Sequence, residues 1–168
     1  MGDNGKLVQR HQRVSFLNTG NAQSPVYTRM KGFTSLSNQK NPKEYTRQYV
    51  DEATERSDIV GVSPAKEFSF DRYDDDPVQE VIANIIDNEL LGSDAHVDIV
   101  TVDLFDPTTS GGTTYAARKR TYAVISDTDS DGTDALIYSG SFKAVGEYTV
   151  GTATLSEDEQ TATFTAAT

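Results

Sequence analysis

Apolar residues in the middle of the chain recur at the spacing of an α-helix. Those that share one face of a 3.6-residue period are Val78, Val81, Ile82, Ile85 and Ile86. Asp76 precedes them as a suitable N-cap, Pro77 fits the first helical position, and Gln79 falls where a capping box needs a Glu or Gln. Because Gly92 follows as a stop residue, the pattern predicts one helix over about residues 77–91.

On either side of this helix, apolar and aromatic residues alternate with polar ones, as they do in β-strands. The strand-like runs are residues 44–50, 66–72, 97–105, 115–126, 135–145, 148–155 and 161–165. In the second run Phe68 and Phe70 share one face. In the run 97–105, Val97 and Ile99 share one face and the even-numbered apolar residues share the other, which predicts a bulge or burial on both faces.

Two segments read as hairpins. The polar turn 38–42 lies between two β-like runs, and the charged stretch 51–58 behind it reads as an exposed loop, so we expect a protruding hairpin and loop over residues 38–62. The last two strands flank an acidic tip at 156–160. They consist largely of Thr and Ala, which is too thin to anchor a core and is typical of edge strands.

The N-terminal residues 1–28 are rich in Gly, Asn and Ser, and they read as an arm with weak intrinsic structure. Within them Val14 and Phe16 alternate as in an edge strand. We therefore predict that these two residues dock on a neighbouring subunit.

Together these elements predict a mainly β fold, either an antiparallel β-sandwich or a partly closed barrel, with one amphipathic helix packed against it. The 168 residues suit one domain, expected over 29–168 with a β meander over 96–166. Edge strands of such a domain need covering, and a closed ring of subunits would cover them.

The composition excludes several function classes. No cysteine is present, which removes disulfides, thiol catalysis and thiolate metal sites. The two histidines, His11 and His96, stand far apart, and no arrangement typical of a catalytic triad or paired carboxylates can be assembled, so we expect no enzyme and no cofactor. We also expect neither a signal peptide nor membrane insertion.

A net charge of −11 argues against ordinary nucleic-acid binding, because affinity for phosphate comes from clustered Lys and Arg. The one dense cationic run is Arg118, Lys119 and Arg120, with Arg118 and Arg120 on one face of a strand. We expect these two arginines to meet acidic groups of a neighbouring subunit, with a DNA contact as the alternative. Tyr45 and Tyr49 of the run 44–50 are also candidates for a subunit interface.

Acidic residues at 127–132 match the first half of a calcium loop, with Asp127, Asp129 and Asp131 as weak candidate ligands. Tyr138 stands where the loop needs a bidentate acid, so a plain acidic turn is favoured. Asp74 and Asp75 precede Asp76 and are explained, like it, by the start of the helix. The Gly-rich segment 110–113 lacks a following Lys-Ser/Thr and is expected to be a hairpin loop.

The run SFDRYDDDPVQEVIANIIDNELLGSDAHVDIVTVDLF, residues 69–105, resembles the strand–helix–strand centre of the major tail tube proteins of long-tailed bacteriophages. The order of elements continues the resemblance, from an early hairpin around 29–62 to a C-terminal hairpin containing SGSFKAVGEYTVGTATL. The resemblance covers most of residues 29–165.

This resemblance implies a hexameric ring whose subunits join into an inner barrel, and rings stacked into a hollow tube through which the genome passes without specific binding. The hairpin at 38–62 would then reach an adjacent ring, and the arm would bridge subunits, so that deleting residues 1–20 would leave a folded but unassembled monomer. Implied partners are the chain itself, a tape-measure protein, and tail terminator and distal tail proteins. The implied location is the tail of a virion assembled in the host cytoplasm.

Two alternatives remain open at the level of sequence. A tube subunit of a contractile, phage-tail-like injection machine would share the fold and differ in needing a sheath. A calcium-dependent extracellular β-sandwich module would use the loop at Asp127.

Overall fold

A computed structural model describes residues 5–131 and 133–168, without the side chains of Ser130 and Asp131. In this part of the chain there are ten strands, one α-helix, and short 3-10 helices at Arg10–Gln12 and Gly92–Ala95. The main elements are β1 (Arg13–Asn18), β2 (Tyr27–Arg29), β3 (Phe33–Gln39), β4 (Pro42–Arg47), β5 (Arg56–Val62), β6 (Ala65–Asp71), α1 (Pro77–Asp87), β7 (His96–Pro107), β8 (Thr114–Asp131), β9 (Ile137–Leu155) and β10 (Thr161–Ala166).

Six of the strands close into an antiparallel barrel. They are hydrogen-bonded in the order β10-β2-β1-β7-β8-β9, and β9 pairs with β10 to complete the circle. One buried cluster takes residues from all six strands: Val14, Phe16, Tyr27, Val100, Val102, Ala117, Ala153, Leu155 and Ala162. The barrel interior is therefore filled with side chains. This confirms the prediction of a mainly β, partly closed barrel with one helix.

The sheet also extends beyond the barrel. The C-terminal part of β9 pairs with β10, whereas residues 137–143 of the same strand pair with β6, and β6 pairs in turn with β3. Helix α1 covers this extension and the outer face of β7 and β8, and a second apolar cluster lies between them. Val97 and Ile99 belong to this cluster while Val100 and Val102 face the barrel interior, which confirms that β7 is buried on both faces.

The start of α1 follows the prediction and its end does not. The Asp76 carboxylate accepts from the backbone N–H groups of Val78 at 3.0 Å and Gln79 at 3.3 Å. The Gln79 side chain, however, donates to the Asp71 carbonyl and accepts from the Tyr73 N–H, so it fastens the preceding loop instead of completing a capping box. The helix ends at Asp87, four residues early, because Glu89 adopts a left-handed backbone conformation with φ 50°.

The predicted arm over residues 1–28 is wrong for its second half. Strand β1 lies between β2 and β7 in the barrel wall, and Phe16 and Leu17 have no exposed surface. Residues 19–26 are only the connection that joins β1 to β2. The prediction failed because polar residues, Gly and Asn on both sides of β1 outweighed its short apolar run, in which Val14, Phe16 and Leu17 are buried.

The hairpin predicted around residues 38–42 is also wrong. Strands β3 and β4 do not pair with each other, since β3 pairs with β6 and β4 pairs with β5. Residues 40–41 form a corner between two separate sheets. Residues 56–58, predicted as loop, begin β5, so 38–62 contains a two-stranded sheet, which we call the ribbon (β4 and β5 with their connecting loop).

The C-terminal strands are more continuous than expected. The sequence predicts two strands at 135–145 and 148–155, but residues 137–155 form the single strand β9, which has a bulge at Gly146 (φ 83°) opposite Arg120. The Thr/Ala hairpin is confirmed, yet it is not edge material, because β10 pairs with both β9 and β2. Its small side chains allow a close approach: a Cβ added at Gly151 would collide with the Thr165 carbonyl.

Candidate assembly surfaces

The ribbon is a separate sheet that pairs with no other strand of the described chain. Strands β4 and β5 pair only with each other, from Pro42 opposite Val62 to Arg47 opposite Arg56. Its apolar and aromatic side chains are exposed, including Tyr45, Tyr49, Val50, Ile59, Val60 and Val62. Because such surface is unfavourable in water, a two-stranded sheet of this kind is typical of a contact segment.

Cation–π contacts order the far end of the ribbon. The Arg47 guanidinium lies 5.2 Å from the ring centroids of both Tyr45 and Tyr49, and Arg56 lies 5.7 Å from the Tyr49 ring. Arg56 also forms a 2.6 Å ion pair with Glu52. These contacts hold the two tyrosines in place, so the ribbon presents a shaped surface.

The second open surface is the outer edge of β3. This strand pairs with β6 on one side and ends the eight-stranded sheet on the other. The Leu36 carbonyl accepts from the Arg10 guanidinium at 2.9 Å, and the remaining unpaired backbone groups of this edge can accept a further strand. The corner at residues 40–41 places this edge next to the base of the ribbon.

The third surface is a basic groove of about 300 Å³ on the outer face of β7 and β8. Residues of β1, the β3–β4 corner, β6, β7, β8 and β9 line it: Arg13, Asn38, Lys40, Lys66, Ile99, Thr101, Arg118, Arg120, Tyr122 and Tyr148. Five of these ten residues are cations and none is an acid. We call this set the basic groove.

The bulge in β9 shapes one wall of the groove. It places Tyr148 beneath Arg118 and Arg120, whose guanidinium carbons lie 5.7 and 5.4 Å from the ring centroid. Arg120 Nε also donates to the Gly146 carbonyl at 3.1 Å. Two arginines are therefore held in defined positions although neither forms an ion pair with a described residue.

Lys66 forms the floor of the groove. It is only 4% exposed, and its Nζ donates to Asn38 Oδ1 at 2.6 Å and lies 5.8 Å from the Tyr122 ring centroid. No carboxylate of the described residues pairs with it. Burial, together with the nearby charges of Arg10, Lys40 and Arg13, lowers the pKa of Lys66 from 10.5 to about 8.

The interface candidates from the sequence separate into three groups. Val14 and Phe16 are wrong as interface residues, because they are buried in the chain's own barrel. Tyr45 and Tyr49 lie together and exposed on the ribbon, and Arg118 and Arg120 lie together in the basic groove. Whether these four residues contact another subunit stays a prediction.

Sequence reasoning missed Lys66, although the pattern contained a signal for it. Lys66 shares the period-2 face of β6 with Phe68 and Phe70, which are in the aromatic core. A lysine on the buried face of a strand is uncommon and marks either an ion pair or a binding site.

The calcium hypothesis stays a prediction. Asp127 and Asp129 lie in the extended end of β8, which continues to pair with β9 at Thr128 opposite Ser139. The Asp131 side chain and Gly132 lie outside the described residues. Among the residues that are described, no group of three His, Asp or Glu is close enough to hold a metal ion, and no helix is long and apolar enough to cross a membrane.

Comparisons with known proteins find similar chains among solved structures alone. No protein-family model matches the chain, and no curated protein sequence is significantly similar to it. Among solved structures, a chain from the cryo-EM structure of the anti-feeding prophage (AFP) baseplate aligns over 82% of this chain and 89% of its own length, with 10% identity and a TM-score of 0.42. This similarity is too low to assign a function.

Proposed function

We propose that the chain is a structural subunit of a phage tail tube, not an enzyme. In this proposal six copies form a ring, and rings stack into a tube with an acidic channel for genome DNA. The observation that carries it is the ribbon, an ordered two-stranded sheet whose exposed apolar residues have no partner within the described chain.

The resemblance of residues 69–105 to tail tube proteins supports this choice among assembling proteins. The closed barrel also supports the proposal, because a closed sheet has no free strand edges and subunit contacts are then limited to the few edges outside it. In the described residues these places are the ribbon and the outer edge of β3. Both lie next to the corner at 40–41, so one neighbouring subunit could engage them together.

The charge of the chain suits a channel for DNA. The net charge of −11 repels phosphates over a Debye length of about 8 Å at physiological salt. A genome would therefore slide along such a wall instead of binding to it. Neutralising the acids that line the channel should slow or stop genome passage, and unchanged passage would contradict the repulsion.

Electron microscopy of the purified protein in negative stain tests the proposal. We expect tubes with an axial channel and six subunits in each ring. The double variant Ile59→Ser with Val60→Ser should remain folded and form no tubes, because it removes exposed apolar surface from the ribbon. As a control, Leu91→Ser removes a still more exposed apolar side chain outside the ribbon, after α1, and it should assemble normally.

Two results would contradict the proposal. One is wild-type protein that stays monomeric at high concentration over a range of salt. The other is tubes from the ribbon variant that match those of the wild type in number and length.

A further inference from the structure

The basic groove is unusual because this chain is strongly acidic. Of its 15 Lys and Arg residues, five line a single groove of about 300 Å³. Within the described residues Arg13 is paired with Asp103, which does not line the groove, and the other four cations form no ion pair. Like charges at such distances repel one another, so their convergence costs stability. Such a loss of stability is typical of a binding site, because a ligand of opposite charge offsets the repulsion when it binds.

Lys66 provides the second, independent observation. Its Nζ is buried, has three donor positions, and uses one on Asn38. A buried ammonium without an acidic partner is unfavourable, and proteins rarely retain one without a counter-ion. The remaining donors and the two guanidiniums on Tyr148 line the same groove.

We propose that the basic groove binds a carboxylate side chain supplied by a second copy of this chain. Arg118 and Arg120 provide planar donors suited to bidentate contact with a carboxylate, and Lys66 provides the charge beneath it. This inference rests on the self-association proposed above, but it does not depend on rings or tubes.

The groove favours a carboxylate over nucleic acid. Its cations come from different elements and converge on one small volume, whereas a nucleic-acid site spreads its cations along the phosphate backbone. The net charge of −11 repels a polyanion as a whole but permits one acidic side chain to enter. Exposed acids without an ion pair are plentiful on this chain, for example Asp51, Asp75 and Glu157.

The test compares the two faces of β8. Arg118→Gln with Arg120→Gln removes both guanidiniums from the groove. Lys119→Gln is the matched control, because Lys119 lies on the opposite face with its Nζ 5.7 Å from the Phe164 ring centroid. The concentration for half-maximal self-association, measured by sedimentation velocity at several NaCl concentrations, should rise at least about tenfold in the double variant and change little in the control.

A cross-linking experiment identifies the source of the carboxylate. A mixture of ¹⁴N- and ¹⁵N-labelled protein is treated with a carbodiimide, which joins lysine amines to carboxylates, and mixed-isotope peptides are identified by mass spectrometry. Lys40, at the exposed rim of the groove, should be joined to an acidic residue of the other copy. In the double variant this product should decrease, whereas in Lys119→Gln it should form as in the wild type.

Three outcomes overturn the inference: equal self-association of the double variant and the wild type, mixed-isotope products that never include Lys40, or binding of short DNA that only the wild type shows. These failures are separate from failure of the tube. If wild-type tubes form without cross-links at the groove, the tube proposal survives and the groove proposal fails. If soluble dimers form with those cross-links, the opposite holds.

Discussion

The barrel and the ribbon are both built from antiparallel strands, yet their strands have very different surroundings. Each barrel strand has a hydrogen-bonded neighbour on both sides, and β7 is buried on both faces. Each ribbon strand has one neighbour, and most of its side chains are exposed. A two-stranded sheet alone is marginally stable in water. The barrel thus depends on contacts within the chain, and the ribbon is placed to make contacts outside it.

The most severe test of this difference is removal of residues 1–20. This deletion removes β1, and with it the fully buried Phe16 and Leu17 and the pairing with β2 and β7. We expect no folded monomer, seen as loss of cooperative unfolding by circular dichroism. Deleting only residues 1–9 should keep the fold. A folded monomer without residues 1–20 would restore the interpretation of this segment as an arm.

A core substitution should separate the two regions next. Ile82 is fully buried between α1 and the sheet, and Ile82→Ala should lower the free energy of unfolding by about 3–4 kcal/mol. Ile59→Ala on the ribbon should change it by less than about 0.5 kcal/mol, because Ile59 is 68% exposed. Urea denaturation of both variants measures the difference. Equal losses would mean that the ribbon is part of the cooperative core.

Much of the body could be predicted because its signals are local. Asp76 and Pro77 define the start of α1 without reference to the rest of the chain, and the period-2 pattern places Phe68 and Phe70 on one face of β6. The end of α1 failed because the left-handed Glu89 stops the helix, whereas the sequence pointed to Gly92.

Pairing partners could not be predicted because they are set by distant residues. The strand 13–18 has a weak pattern and becomes central only through pairing with β7, more than 80 residues away. The basic groove is likewise assembled from segments that are far apart in sequence. Arg118 and Arg120 are close enough in sequence to be recognised as a pair. Lys66 could be assigned to the groove only once the fold showed that its face of β6 is covered.

The buried charge of Lys66 in the basic groove lowers the stability of the folded chain, and the variant Lys66→Met should show this. The decrease of the Lys66 pKa from 10.5 to about 8 corresponds to a cost of about 3 kcal/mol at neutral pH, and loss of the Asn38 hydrogen bond offsets about 1 kcal/mol of the gain. We therefore expect Lys66→Met to stabilise the monomer at pH 7 by about 2 kcal/mol.

The sign of the pH dependence follows from linkage. Below pH 8 Lys66 is charged in both the folded and the unfolded state, so the full cost of burying its charge is present. Between about pH 8 and 10.5 the unfolded chain binds one proton more than the folded chain, so the stability of the wild type rises with pH. The advantage of Lys66→Met should thus shrink over this interval. The charged and titratable groups around Lys66 are Arg10, Arg13, Lys40, Arg118, Arg120 and Tyr122. Thermal denaturation at pH 7 and pH 10 checks this, and a variant that destabilises at pH 7 would contradict it.

A smaller effect is expected at the helix N-terminus. Asp76→Ala leaves the N–H groups of Val78 and Gln79 without their acceptor and should cost about 1 kcal/mol. Asp75→Ala, next to it and exposed, should cost less than half as much. Urea denaturation of the two variants in parallel measures the contribution of the cap, and equal losses would show that charge near the helix start matters more than the hydrogen bonds.

The smallest effect on global stability should come from the ribbon itself. Tyr49→Ala removes the ring that both Arg47 and Arg56 contact, and each exposed cation–π contact contributes about 0.5–1 kcal/mol to local order. We expect the ribbon, as a separate two-stranded sheet, to open independently of the barrel, so that the free energy of global unfolding stays within about 0.5 kcal/mol of wild type. Amide hydrogen exchange should accelerate in β4 and β5 alone, whereas the exposed control Tyr73→Ala should leave ribbon exchange unchanged. Slower amide exchange in the ribbon when the wild type assembles would show that a neighbouring subunit orders the ribbon. If Tyr49→Ala instead lowers the free energy of global unfolding by more than about 1 kcal/mol, the barrel and the ribbon unfold together.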